Sequence, residues 1–288
     1  MPGFSTDEEK IEYLRKNAEK MNGWAIADVI QSFQEKKNKV EALKVCAEKI
    51  DGWRICEVIQ SLQEEQNKVE ALKTCAEKMA GGYISEVIQS FQEDQNKVEA
   101  LKEYTEKMDE EEIFKVIQSF QKDKNKIEAL KACAEKIDEW YIFKVIQSFQ
   151  EEQNKVEALK EYAEKMDGWN ICEVIRSFQE EKNKVEALKV CSKEMDGRSI
   201  CRVIDSLPNA DKFEQLKQYA DKIFVDNMDF DIRRIVGSLE EREKLQLLKE
   251  YGERMPSYQL KGVISSFHRD DLKIEQINHY IDKIINRR

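Results

Sequence analysis

The stretch VIQSFQEDQNKVEALKEY, Val87 to Tyr104, decides the fold, because close copies of it run along the whole chain. The motif Val-Ile-x-Ser-[Phe/Leu] begins at Val29, Val58, Val87, Val116, Val145, Val174 and Val203, and every step is 29 residues. Two degenerate copies follow, at Ile235 after 32 residues and at Val263 after 28. A fixed period of about 20–50 residues is the signature of a solenoid or array.

Each period reads as two helices. In NKVEALKVCAEKI, Asn38 to Ile50, the apolar residues Val40, Leu43, Cys46, Ala47 and Ile50 fall at spacings of three and four, one stripe on an α-helix. Asn38 followed by Glu41 has the form of a capping box, and the same Asn-x-x-Glu recurs at Asn67, Asn96, Asn125, Asn154 and Asn183. The second helix, WRICEVIQSLQEE, carries Ile55, Val58, Ile59 and Leu62 at i, i+3, i+4 and i+7. Gly52 between the two suits a left-handed helix end, although Glu110 and Glu139 replace it in two copies. First helices are expected to start near 9, 38, 67, 96, 125, 154, 183, 211, 243 and 272.

A helix of ~13 residues is about 20 Å long and cannot bury its stripe alone, so neighbours must cover it. The sequence therefore predicts an all-α protein: a right-handed α-solenoid of about nine 29-residue helical hairpins plus a final helix. It is read as one domain over 1–288, regular over 9–210 and degenerate over 211–288, with a bend near 205–230 where KIFVDNMDF enlarges a turn. Asn17 in place of Cys46 suits an outer end face, and the final helix is expected over Leu272 to Ile285.

Composition agrees. Charged residues make up 37% of the chain and apolar ones 41%, while proline occurs three times in 288 residues. That combination favours many helices with exposed polar faces. The formal net charge of −10 argues against general binding of nucleic acid or anionic membrane, since phosphate contacts need clustered cations. No apolar run is long enough to span a bilayer. MPGFSTDEEK lacks a secretory pattern, and the seven cysteines are an odd number; both predict reduced thiols and a cytoplasmic protein.

The phrase SFQEDQNKVEALK, Ser90 to Lys102, resembles the Ser-Phe-x-x-Asp-x-x-Lys-x-x-x-Leu repeat of a helical domain of unknown function in bacterial and some eukaryotic proteins. SFHRDDLKIEQI, Ser266 to Ile277, resembles it too, and the likeness implies tandem short helices without catalytic residues. GRSICRVIDSL, Gly197 to Leu207, is similar to the inner helix of Pumilio-type RNA readers, but the base-reading pattern is missing from the other units.

No catalytic constellation emerges. The position of Cys46, Cys75, Cys133 and Cys191 accepts Tyr104 and Tyr162, and that of Cys56, Cys172 and Cys201 accepts Ser85 and Phe114. Positions so tolerant suit small buried hydrophobes, not metal ligands. His268 and His279 lie near no ligand cluster in sequence and are expected at the surface. We expect no enzyme activity, no metal and no cofactor.

Four rows bear on binding. Trp24, Trp53, Trp140 and Trp169 share one position at the inter-helix turn, expected to be half exposed; they either pack over the turn or form an aromatic edge for a partner. Gln31, Gln60, Gln89, Gln118 and Gln147 form a row off the apolar stripe, interrupted by Arg176 and Asp205; they either bond to one another or line a groove for an extended peptide. Beside it Asp28, Glu57, Glu86, Lys115, Lys144, Glu173 and Arg202 change sign along the chain. Finally Lys39, Lys68, Lys97, Lys126, Lys155 and Lys184 read as a solvated, charge-mixed edge, with phosphate tracking as the rival. The leading expectation is a monomeric scaffold that binds a peptide or protein along the second helices. The alternative is a nucleic-acid-binding helical repeat protein.

Overall fold

The computed structural model describes Phe4, residues 6–224 and residues 232–285. Helix makes up 76% of it, and there is no strand among the described residues. Helices pack with their sequence neighbours and with the equivalent helices of adjoining repeats, as an α-solenoid requires. The chain divides into two compact units, 1–148 and 149–288, and each is described by itself. The enlarged turn expected at 222–230 lies mostly outside the described residues.

The second repeat shows the pattern. Its first helix runs Lys36–Cys46, a 3₁₀ turn follows at Ala47–Lys49, Ile50 is extended, and the second helix runs Gly52–Gln60. Val40, Leu43, Cys46, Ile55, Val58, Ile59 and Leu62 are all buried, as the stripes predict. Burying such a side chain contributes about 1.5–3 kcal/mol, before the entropy of ordering it.

Two local expectations fail, and both fail for a non-local reason. The first helices begin two residues early, at Asp7, Lys36, Glu65, Asp94, Asp123, Glu152 and Glu181. Asn38 is therefore not the cap but the third helical residue, and its amide Nδ2 donates to Asp7 of the preceding repeat at 3.2 Å. A true capping box occurs at Thr6 and Glu9 in the first helix. Gly52 does not close a left-handed turn either. It opens the second helix where the next repeat's backbone comes close: a Cβ there would lie 2.9 Å from the Lys78 carbonyl oxygen. The second helices are instead capped by side chains such as Asn22, Asp138, Asp167 and Asp196.

The ends differ. Asn17 is half-buried and bonds back to the Tyr13 carbonyl. The final helix is not continuous: it breaks at Tyr280 into Asp270–His279 and Ile281–Ile285. Ile274 is 58% exposed, although its counterpart Val40 is buried.

Candidate functional site

Two devices organise the surface, one between repeats and one within each repeat. The first is a carboxylate clasp. Asp7 accepts the N–H groups of Gln34 and Glu35 at 3.0 and 2.9 Å, and the Asn38 amide. Glu65 does the same for Gln92, Glu93 and Asn96, and Glu152 for Gln179, Glu180 and Asn183. Asp94 takes the Asn125 amide at 2.7 Å, and Glu241 the His268 N–H at 2.9 Å. Each carboxylate thus satisfies donors at the start of the next repeat's first helix, where four N–H groups lack intrahelical partners. Burial pushes the Asp7 carboxyl up, but the Glu35 and Gln34 N–H groups, Asn38 and Lys10 outweigh it and hold the group below the usual aspartate value.

The second device is a lysine clamp. Lys10 Nζ donates to the Ser32 carbonyl at 2.7 Å, Lys68 to Ser90 at 3.1 Å, Lys97 to Ser119 at 2.9 Å and Lys126 to Ser148 at 3.1 Å. In the second unit Lys184 reaches the Ser206 carbonyl and Lys244 that of Ser266. These serines are the C-caps of second helices, so each ammonium sits at a helix's negative end. The lysine row is accordingly not a solvated edge: Lys39, Lys97 and Lys126 are buried, and Lys68, Lys155 and Lys184 half-buried. It does not present ammonium groups for tracking phosphates.

The outer faces of the first helices are laced by ion pairs between repeats. Arg15–Glu41, Lys44–Glu70, Lys102–Glu128 and Lys160–Glu186 run one way, and Lys49–Glu19, Lys78–Glu48 and Lys107–Glu77 the other. On the second helices Arg54–Glu57 and Lys115–Glu111 at 2.7 Å, and Arg176–Glu173 at 2.8 Å, each lie within one helix, whereas Arg234–Asp205 at 3.1 Å joins two. Gln31, Gln60, Gln118 and Gln147 stand exposed beside them, while Gln89 donates to Ser85 in its own helix, not to a neighbouring glutamine.

The tryptophan row is half exposed, as expected: Trp24, Trp140 and Trp169 are all near 50%. Its rings are covered by cations that the sequence placed elsewhere. Trp24 and Trp53 meet edge to face at 5.3 Å, and the Arg54 guanidinium lies 3.5 and 3.8 Å from their ring centres. Lys144 lies over Trp140 at 4.4 Å and Arg202 over Trp169 at 4.0 Å. The sign-changing row and the aromatic edge are therefore one surface at these points. A shallow cleft of about 430 Å³ opens at Trp169, lined among others by Asp196, Arg198, Ser199 and Arg202.

The seven cysteines are all buried, and none is paired in a disulfide. Burial pushes the Cys46 thiol up to about 11, and burial with the nearby Glu86 carboxylate pushes Cys56 to about 12. His268 and His279 are exposed. Among the described residues no group of three or more His, Cys, Asp or Glu side chains is placed to hold a metal, and no helix is long and apolar enough to cross a membrane.

What the sequence reading missed are the clasp carboxylates and the buried clamp. One signal was present: each clamp lysine has a serine at a constant separation of 22 residues.

No family model matches the chain, and no curated protein matches it. A solved chain described as "Computational Design of Self-Assembling Cyclic Protein Homooligomers" is similar at 15% identity, covering 98% of this chain and 95% of that one, with a TM-score of 0.14. The class of the protein, a tandem helical repeat, is accordingly defined by its own period and packing.

Proposed function

We propose that the protein is a non-enzymatic scaffold that binds an extended peptide or a protein segment along its second helices. The observation that carries this reading is the contrast between the two faces. First-helix charges are tied to neighbouring repeats, whereas Gln31, Gln60, Gln118 and Gln147 stand exposed and uncommitted on a rigid base of buried Val and Ile. A uniform amide row offers donors and acceptors to a peptide backbone at each repeat. The changing sign beside it selects the ligand: basic over Asp28, Glu57 and Glu86, acidic over Lys115 and Lys144. In the second unit Arg176 and Arg202 take the corresponding places. Burial of the lysine row at helix ends favours a protein ligand over a nucleic acid.

The test is selection of binders from a random peptide display library, followed by binding to variants. Lys115→Glu with Lys144→Glu is expected to abolish capture of the selected peptides with little change in melting temperature. If capture survives that pair and fails on Trp53→Ala with Trp169→Ala, the turn edge is the site. If no peptide is selected and salt-sensitive RNA or DNA binding appears in a filter assay, the protein reads nucleic acid and the proposal is wrong.

A further inference from the structure

One joint between repeats of the first unit lacks the carboxylate clasp. Lys36 occupies the helix position held by Asp7, Glu65, Asp94 and Glu152 in other repeats. The loop N–H groups of Gln63 and Glu64 therefore meet no clasp carboxylate, and Asn67 turns back to Glu64 at 3.0 Å. The clamp inside the second repeat, which borders this joint, is loose as well. Lys39 reaches only the Ser61 hydroxyl, at 3.4 Å, where Lys10 and Lys97 hold serine carbonyls at 2.7 and 2.9 Å. Burial lowers the Lys39 pKa, and the positive charge of Lys36 lowers it further, so the residue that removes the clasp also disfavours the clamp. Apolar packing, a weak thiol contact from Cys56 to the Glu86 carboxylate at 3.6 Å and the exposed pairs Lys44–Glu70 and Lys78–Glu48 remain, and exposed pairs contribute little.

We infer that the joint between the second and third repeats is an opening point built into the solenoid, at which the hairpins over 7–60 undock together while the third to fifth repeats stay folded. In a repeat array, stability is a sum of intrinsic and nearest-neighbour terms, so one weak interface sets where cooperative opening stops. The residues it releases include Gln60 and Trp53, which places the opening within the surface proposed for binding; the inference itself stands on the joint alone.

Native hydrogen exchange of the whole chain, read by mass spectrometry, tests it. Amides in Gly52–Gln60 are expected to exchange about tenfold faster than those in Gly81–Gln89 and Glu110–Gln118, as a step and not a gradient. Lys36→Glu should slow exchange over 7–60 by about tenfold and leave the later repeats unchanged. Asp94→Lys should create a second step between the fourth and fifth repeats. A smooth gradient from the N-terminus, or exchange in 52–60 that ignores the charge at position 36, overturns the inference.

Discussion

The ammonium of Lys97 lies 2.9 Å from the carbonyl oxygen of Ser119, 22 residues ahead at the end of the same repeat's second helix. A side chain usually assigned to solvent is thus a structural bolt between the two helices of one hairpin. Lys97→Met removes the donor and leaves a half-buried carbonyl unpaired, so it should destabilise by about 1–3 kcal/mol. Lys124→Met, at an exposed position, should change stability by less than about 0.5 kcal/mol. Urea denaturation followed by circular dichroism measures both.

Acid should loosen the clasps. Although burial raises them, hydrogen bonds hold Asp7 and Glu152 below ordinary carboxyl values in the folded protein: Glu35, Gln34 and Asn38 for one, Asn183, Gln179 and Glu180 for the other. Their contribution is therefore fully present above the unfolded values of 3.8 and 4.5 and is lost as pH falls through the lower folded ones. Thermal melts from pH 7 to pH 2.5 should show a falling midpoint below about pH 4.5. In Asp7→Asn that fall should be smaller.

Glycine replacements should separate close approach from helix propensity. Gly52→Ala puts a methyl 2.9 Å from the Lys78 carbonyl oxygen and should destabilise by more than about 1 kcal/mol. Gly237→Ala meets nothing within 4 Å and should stabilise by about 0.5–1 kcal/mol. Opposite signs in two melts are the expected result.

The thiols should be inert in the folded state. With Cys56 pushed to about 12 by burial and by Glu86, the thiolate that reacts is scarce and enclosed. At pH 8, Ellman's reagent should titrate none of the seven within minutes and all of them in urea. Rapid native reaction of even one would show that its repeat opens far more readily than the packing implies.

Much of this fold is legible in the chain. The stripe Ile55, Val58, Ile59 and Leu62 is a local signal, and all four are buried. The Trp24 position, half exposed at a turn, follows from its tolerance across copies. The errors share another cause. Asn38 fits a capping box by local rule, but the acceptor that governs that helix start is Asp7, 31 residues upstream. Lys97 reads as solvated because lysine is rarely buried, and its partner lies at the end of the other helix of its hairpin. Likewise the cation over Trp169 comes from Arg202 in the following hairpin. In each case the decisive polar partner sits on another helix, where propensity and capping rules do not look.

Withdrawing lysines into helix ends also alters the field around the protein. Lys39, Lys97, Lys126, Lys212 and Lys244 are buried, against Asp7 and Asp123 among the described acids. Those ammonium groups are offset locally by the negative ends of helices. At close range the molecule is more acidic than its formal charge of −10 implies. A basic molecule is drawn in by that excess over distances near the Debye length, about 10 Å at 0.1 M salt. Its association rate should then climb steeply as salt is removed, while dissociation is set by whatever short-range fit it finds.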